Sequence, residues 1–382
     1  MPAASGYNTA APNRMLEMDG MKFGLFFQFQ VPRPWHPRKE YEVFRNAIDQ
    51  AALAEQVGFD YTWVAEHHFL EEVSHAGASD LLLAAMAEHT STMRLGLGVV
   101  LMSSPLNHPL RVAERVATLD ILSNGRVEFG TGRSSTPYQL TPFGIDFSET
   151  RAMWEEALEI IPKMWMQETF EHQGRFYTIP PRNVIPKPLQ QPHPPLWLAC
   201  IQPETATLAG QKGLGALLMT FMGPEPVAER VDLYRKALQH AEPVGAEVND
   251  RLALFAFAFC GERDAETREL AGPEALWYRE TLGEIFSREW ERHDTVPDSY
   301  QYHARVHSRG EQARRGDYNS YIDSGAFCMG DPDACIRIIE RYAALKPEQF
   351  VMIMQAGNLP HEKIMESIRL FGKHVLPEFK RR

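Results

Sequence analysis

Apolar positions along the chain repeat in one order: a helical stripe, a glycine, then a short and almost wholly apolar strand. Val43, Ala47, Ala51, Ala54 and Val57 recur at spacings of three and four, the period of one helix face, and Gly58 follows them. Glycine readily takes the left-handed backbone that closes a helix. Asp60-Tyr61-Thr62-Trp63-Val64-Ala65 comes next, rich in the β-branched and aromatic residues that suit a buried strand. The order returns with Val112, Val116 and Leu119, the Asn124-Gly125 turn and the run from Arg126 to Gly130. A third copy leads from Ala206 through Gly213 into the run from Gly215 to Met219. Further strands are predicted over 21–27, 95–101, 195–200, 252–260 and 349–354. Alternation at this pace implies βαβ units on a parallel sheet. Eight such strands predict an α/β fold, a (β/α)8 TIM barrel, with its working end at the strand C-termini. The alternative is a doubly wound open sheet. Gly130-Thr131-Gly132 lacks the third glycine of the dinucleotide fingerprint, and no acidic residue follows a clear βαβ turn, so the barrel is preferred.

Residues 1–20 read as a loose tail and not as a secretory signal, and 21–382 as a single barrel domain. Two stretches exceed ordinary connections. The first, about 169–194, follows strand four and carries Pro180, Pro181, Pro186, Pro188, Pro192 and Pro194, which suit an extended path. The second, about 262–325, follows strand seven; it is polar and helical in pattern, with Trp277, Tyr278, Trp290, Tyr300 and Tyr302. A barrel insertion there lies beside the working end, where lids originate, although a solvated decoration reads the same way.

Composition narrows the class. The 382 residues are 44% hydrophobic and 23% charged, a globular composition. A net charge of −11 without a long Lys/Arg cluster argues against nucleic acid or an anionic membrane as partner. No window approaches the 18 apolar residues of a spanning helix. Cys200, Cys260, Cys328 and Cys335 contain no Cys-x-x-Cys pair, which argues against a zinc knuckle or a disulfide framework. The expectation is a reduced, cytoplasmic enzyme.

Candidate chemistry gathers at strand ends. Strand two runs into Glu66-His67-His68, where alternation puts Glu66 and His68 on one face and His67 on the other. The two histidines therefore do not share a metal, and no metal site is expected. One histidine as a proton-transfer group, with the other two residues as polar contacts, is the better functional reading. Strand three is glycine-rich, Gly96-Leu97-Gly98-Val99-Val100-Leu101-Met102, which lets a flat group lie close to the backbone. Strand four ends in Gly132-Arg133, and Arg151 opens the next helix. Cys200-Ile201-Gln202-Pro203-Glu204-Thr205 carries strand five into a helix N-terminus, a natural phosphate seat or merely a capped helix start. Phe27, Gln28, Trp35, Met102 and Phe221 are candidates for a substrate pocket, though such stripes also build cores.

In order along the chain, these pieces resemble the bacterial luciferase-like flavin-dependent monooxygenases. The likeness rests on Lys22-Phe23-Gly24, Gly58-Phe59-Asp60, Glu66-His67-His68-Phe69, His108-Pro109 and the run Leu119-Asp120-Ile121-Leu122-Ser123-Asn124-Gly125-Arg126. Phe143-Gly144, Arg151, Gly330-Asp331-Pro332, Leu370-Phe371 and Val375-Leu376-Pro377 extend it to nearly the whole chain. The resemblance implies an FMN-dependent monooxygenase that uses reduced FMN and dioxygen to oxygenate a small apolar aldehyde, ketone or similar compound through a flavin peroxide. A separate flavin reductase would supply the FMN, and a homodimer is the expected assembly. It further implies phosphate contacts near Arg133, Arg151, Cys200, Ile201, Gln202 and Thr205, and the flavin ring near Gly132. A non-prolyl cis bond is expected at Val100-Leu101, under that ring. His67 matches the acid/base histidine, with Glu66 and His68 beside it. Luciferase carries a reactive cysteine where this chain has Gly132, so that thiol's role is absent here. The alternatives are a deazaflavin-dependent hydride-transfer enzyme sharing the barrel, and a catalytically silent flavin-binding subunit.

Overall fold

The computed structural model describes residues 20–290, 296–297, 300–301 and 317–380. The expected tail lies outside the described residues apart from Gly20, as do Tyr302 and parts of the second insertion.

Eight parallel strands close the barrel: β1 (Lys22–Phe27), β2 (Tyr61–Val64), β3 (Arg94–Leu101), β4 (Val127–Gly132), β7 (Leu196–Ala199), β8 (Gly215–Met219), β9 (Leu252–Cys260) and β11 (Gln349–Ile353). The circle closes where β11 pairs with both β9 and β1. Helices α1 (Lys39–Gln56), α2 (Ser79–Ala87), α3 (Pro109–Leu122), α4 (Thr150–Met166), α5 (Pro203–Gln211) and α6 (Pro224–Leu238) form the outer layer. Pro332–Ala343 and His361–Leu370 complete it.

Two features of the insertions go beyond the sequence reading. The proline-rich stretch begins as an antiparallel hairpin, β5 (Phe170–Gln173) with β6 (Thr178–Arg182), before turning extended. A short strand, β10 (Phe327–Gly330), pairs with the upper half of β9, which extends beyond the barrel wall. The second insertion begins with α7 (Asp264–Trp290), 27 residues and so about 40 Å long.

Alternation fills the barrel in layers. At the N-terminal end the buried Glu128 carboxylate meets the Arg94 and Arg251 guanidiniums. It also accepts the Trp197 indole N–H at 2.6 Å. Above it Trp63 stands edge-on to Trp197 at 5.5 Å and to Phe255 at 6.0 Å, and Phe255 meets Phe26 at 5.2 Å. The Trp63 N–H donates to Gln349 at 3.0 Å. Two glycines make room for the indoles: a Cβ on Gly96 would lie 2.1 Å from the Trp63 ring, and one on Gly215 would lie 2.4 Å from Trp197. This aromatic layer plugs the barrel at mid-height and separates the Glu128 cluster below from the polar side chains at the mouth above.

Gly96→Ala forces a methyl into a rigid indole that has no room to yield. The expected cost is about 2–3 kcal/mol, a fall in Tm of roughly 5 °C or more, measured by thermal unfolding. An unchanged Tm would show that the layer is loosely packed.

Candidate active site

The inward phase of β2 runs through Trp63 and Ala65 to His67, so His67 faces the mouth of the barrel while Glu66 and His68 face the helical layer. The sequence separates the two faces; the Trp63 layer decides which one is inside.

A rim loop after β4 holds His67. Its Nδ1 lies 3.1 Å from the Gln139 Oε1, which also accepts the His68 backbone N–H at 3.0 Å. Gln139 is wholly buried, and its Nε2 donates to the Ser134 hydroxyl at 3.0 Å. The Ser134 hydroxyl in turn donates to the Thr136 carbonyl at 2.9 Å. A backbone N–H only donates, so the Gln139 atom facing it is the oxygen, and His67 Nδ1 must carry the hydrogen. Nε2 is then a bare lone pair. Burial pushes the His67 pKa down to about 4, against the opposing effect of the Gln139 bond, so the ring is neutral near pH 7. The site therefore offers a proton acceptor of fixed tautomer. Gln139 carries no sequence signal of this role beyond its place in a Ser/Thr/Pro loop past a strand end.

Glu66 and His68 brace the wall behind. Glu66 accepts the Leu101 backbone N–H at 3.1 Å and the Asn107 amide at 2.7 Å, and its Oε1 lies 3.1 Å from His68 Nε2. Asn107 also donates to the Leu101 carbonyl at 3.0 Å and accepts from Arg115 at 2.6 Å. This set fixes the end of β3 beside the mouth.

Strand three breaks its alternation there. Leu97 pairs with Phe129 but Val100 with Thr131, so β3 spends one extra residue. Gly98 abuts Phe26 and Trp63, and Val99 abuts the positions of Gly130 and Gly132, so both consecutive residues face inward. The non-prolyl cis bond lies at Gly98-Val99 and not at Val100-Leu101 as expected. Val100 turns out toward the pocket behind Glu66, while Leu101 pairs with Gly132.

Beyond Gly132 a cleft opens between the first turns of α4 and α5, lined by Arg133, Arg151, Ile201, Gln202 and Thr205. Arg133 is stacked over the Tyr300 ring at 4.8 Å. Tyr300 itself donates to the Ser134 carbonyl at 2.9 Å and lies 2.9 Å from Thr150 Oγ1. Burial, chiefly, and the nearby Arg151 charge lower the Arg133 pKa, while Tyr300 and the Glu204 and Glu155 carboxylates raise it. Arg151 is held by Glu155 at 2.8 Å and Glu204 at 3.4 Å. Gln202 makes no side-chain cap on α5, which leaves first-turn N–H groups facing the cleft. Two guanidiniums and an uncapped helix start are a donor set for a phosphate. Next to it, a Cβ on Gly132 would come 2.7 Å from Val99 and 3.7 Å from Ala199, so a flat floor joins cleft to mouth. The donor set and the flat floor fit a phosphate-bearing, planar group such as flavin mononucleotide, which Arg133, Arg151 and the α5 N-terminus would hold.

Residues 21–349 match the luciferase-like monooxygenase family. The chain belongs to this family. As a luciferase-like monooxygenase it is 29% identical over 227 residues to the oxygenase component of the flavin-dependent trigonelline monooxygenase of Acinetobacter baylyi, covering 59% of this chain and 61% of that one. Its fold is shared with the oxygenating constituent of 3,6-diketocamphane monooxygenase from Pseudomonas putida, solved with FMN: TM-score 0.75, 20% identity, covering 94% and 99% of the two chains. The coenzyme F420-dependent tetrahydromethanopterin reductase of Methanopyrus kandleri shares it too, with TM-score 0.66, 20% identity, and 94% and 99% covered.

Other expected residues of this luciferase-like monooxygenase fall away from the mouth. Phe27 has the outward phase of β1 and packs on Phe29, because Phe26 takes the inward one. Trp35 is 43% exposed on a rim loop, where its N–H bonds to Val31 and Arg33 stacks on it at 4.0 Å. Cys200 is buried behind the cleft, its thiol directed to the Leu198 and Thr205 carbonyls. Met102 is wholly buried, with its N–H on the Gly132 carbonyl. Gln28 and Phe221 do reach the rim, and the Phe221 carbonyl accepts from Arg279 of α7 at 2.6 Å. Among the described residues, no group of three or more His, Cys, Asp or Glu is placed to hold a metal ion, and no helix is long and apolar enough to cross a membrane.

Histidine nitrogen NMR is expected to show His67 with a protonated Nδ1 and a bare Nε2 from pH 8 down to about 5, titrating near 4. The sign for stability follows. Below the ordinary value of 6.5 the unfolded chain takes up a proton that the folded site refuses, so this residue removes stability as pH falls toward 4, at most about 3 kcal/mol. An ordinary titration near 6.5 would refute the depression by burial, and a bare Nδ1 would break the tautomer assignment.

Proposed function

We propose that the protein is an FMN-dependent monooxygenase that takes reduced FMN from a separate reductase and oxygenates a small, largely apolar organic compound, such as an aldehyde or ketone, with dioxygen. The observation that carries the reading is the pairing of the Arg133–Arg151 cleft with a neutral His67 across a floor of Val99, Gly132 and Ala199. Bound reduced flavin supplies the electrons and the carbon at which oxygen is activated.

The chain's own residues bind, orient and shield. Arg133, Arg151 and the α5 N-terminus hold the phosphate; Glu155 and Glu204 keep the Arg151 guanidinium turned toward the cleft. His67 Nε2 accepts a proton at the mouth, and Gln139 keeps the ring from flipping its tautomer. Helix α7 straps the rim: Glu274 takes the Asn358 N–H at 2.7 Å, Arg279 holds the end of β8, and Trp290 packs on Phe147 and Tyr300 beside β4. Such a strap limits the water that competes with a bound substrate. The homodimer and the cytoplasmic location belong to the same proposal.

A second reading, hydride transfer with a deazaflavin, draws on the fold shared with the F420-dependent reductase. Turnover of reduced FMN only under oxygen favours the first reading; anaerobic turnover with F420 favours the second. FMN bound but never used productively would indicate a silent subunit.

Arg133→Leu is expected to weaken FMN binding about 10- to 100-fold while leaving riboflavin, which lacks the phosphate, unchanged. His67→Ala should bind FMN as before and lose about 100-fold or more of oxygenated product. Calorimetry and product mass check the two. Equal losses for FMN and riboflavin, or full turnover by His67→Ala, would refute the assignments.

A further inference from the structure

Two buried polar groups at the mouth remain outside every network described so far. Gln28 lies two residues beyond Phe26, whose ring faces Phe255, so the amide shares the barrel-facing side. Phe257 lies two residues beyond Phe255, and the Tyr278 ring of α7 sits edge-on to it at 5.3 Å. Gln28 and Tyr278 therefore meet above the aromatic plug, one from the barrel wall and one from the strap. Gln28 is 5% exposed and Tyr278 is wholly buried. The Gln28 amide faces the Tyr278 phenol. Neither the Gln28 Oε1 nor the Tyr278 hydroxyl completes a hydrogen bond of good geometry, although the amide lies close enough to the phenol to lower its pKa against the larger effect of burial. Buried polar atoms are rarely left this way unless something polar completes them. The phenol is fixed in place by its own helix, because the next residue, Arg279, donates to the Phe221 carbonyl and lies over the Tyr321 ring at 4.3 Å.

We propose that Gln28 and Tyr278 form the polar end of the substrate pocket and select a substrate whose apolar skeleton carries a hydroxyl group. The inference rests on the monooxygenase reading and names its substrate class. One hydroxyl satisfies both partners at once: its hydrogen goes to the Gln28 oxygen, and its lone pair takes the Tyr278 O–H. Burial raises the phenol's pKa, which keeps that O–H protonated as a donor. A bare carbonyl accepts from Tyr278 and leaves the Gln28 oxygen unmet, and a hydrocarbon meets neither. Sites built this way reject the analogue that lacks the hydroxyl far better than an apolar pocket rejects one extra methylene.

Matched probes test the proposal: benzaldehyde against 4-hydroxybenzaldehyde, and cyclohexanone against 4-hydroxycyclohexanone, titrated calorimetrically into the full chain carrying oxidised FMN. In the unmodified protein at least one hydroxylated member should bind at least tenfold more tightly than its partner. Tyr278→Phe and Gln28→Leu should each reduce that ratio below about threefold, with FMN affinity and thermal unfolding unchanged. Ratios near one in the unmodified protein, no binding by either hydroxylated probe, or ratios kept in both variants would overturn it. The first of these outcomes means that the gap holds water only. FMN titration is read separately. Discrimination by a protein that gives no heat with FMN keeps the pocket and sinks the monooxygenase reading; FMN binding without discrimination does the reverse.

Discussion

The packing of two indoles into two glycine gaps sets the terms for everything above it. Trp63 fills the space that a side chain at position 96 would need, and Trp197 the space at 215. With Phe26 and Phe255 they close the cylinder at mid-height. A closed middle fixes which side of each strand is inside, and so which residue of each strand end reaches the mouth. It also separates the Glu128 end from the mouth, which has Gln28, His67, Val99, Gly132 and Ala199 at its edge.

Charge is sorted along the same axis. The buried carboxylate of Glu128 sits below the plug, compensated by two arginines and an indole N–H. The crowded guanidiniums of Arg133 and Arg151 sit above it, in a cleft with an uncapped helix start. Their surroundings favour an arriving anion, since burial and mutual repulsion both work against the charged Arg133. Between these poles His67 is kept neutral by burial, and its hydrogen is assigned by an amide that cannot turn without losing its own partners. In the proposed reading, a neutral base beside a cationic cleft admits an anionic cofactor and still accepts a proton next to it.

The second insertion links both halves of the site. Through α7 it touches the ends of β1, β8 and β11, and through Trp290 and Tyr300 it reaches the loop after β4. Tyr300 thus stacks against Arg133 at the cleft, while Tyr278 packs on Phe257 at the other side of the mouth. In the proposed reading one segment therefore contributes to both the cofactor end and the substrate end of the site.

Periodicity alone determined the eight barrel strands, because a buried strand and an amphipathic helix leave different spacings in any chain that folds this way. That Arg133, Arg151 and the segment 200–205 converge was implied by the family resemblance and not by the period, and the barrel supplies the physical reason. In a parallel barrel every strand ends at the same rim, so residues past adjacent strand ends must be neighbours. Periodicity also separated Glu66 and His68 from His67, since alternation is local. Alternation gives only relative phase, however. Which of those residues faces inward, and that Phe27 faces outward, waited on the Trp63 layer formed by strands far apart in sequence. The extra residue at Gly98-Val99, the Gln139 bond to His67 and the course of α7 over the mouth were likewise decided by tertiary structure. Each depends on contacts between groups tens to hundreds of residues apart, and such contacts leave no period in the chain.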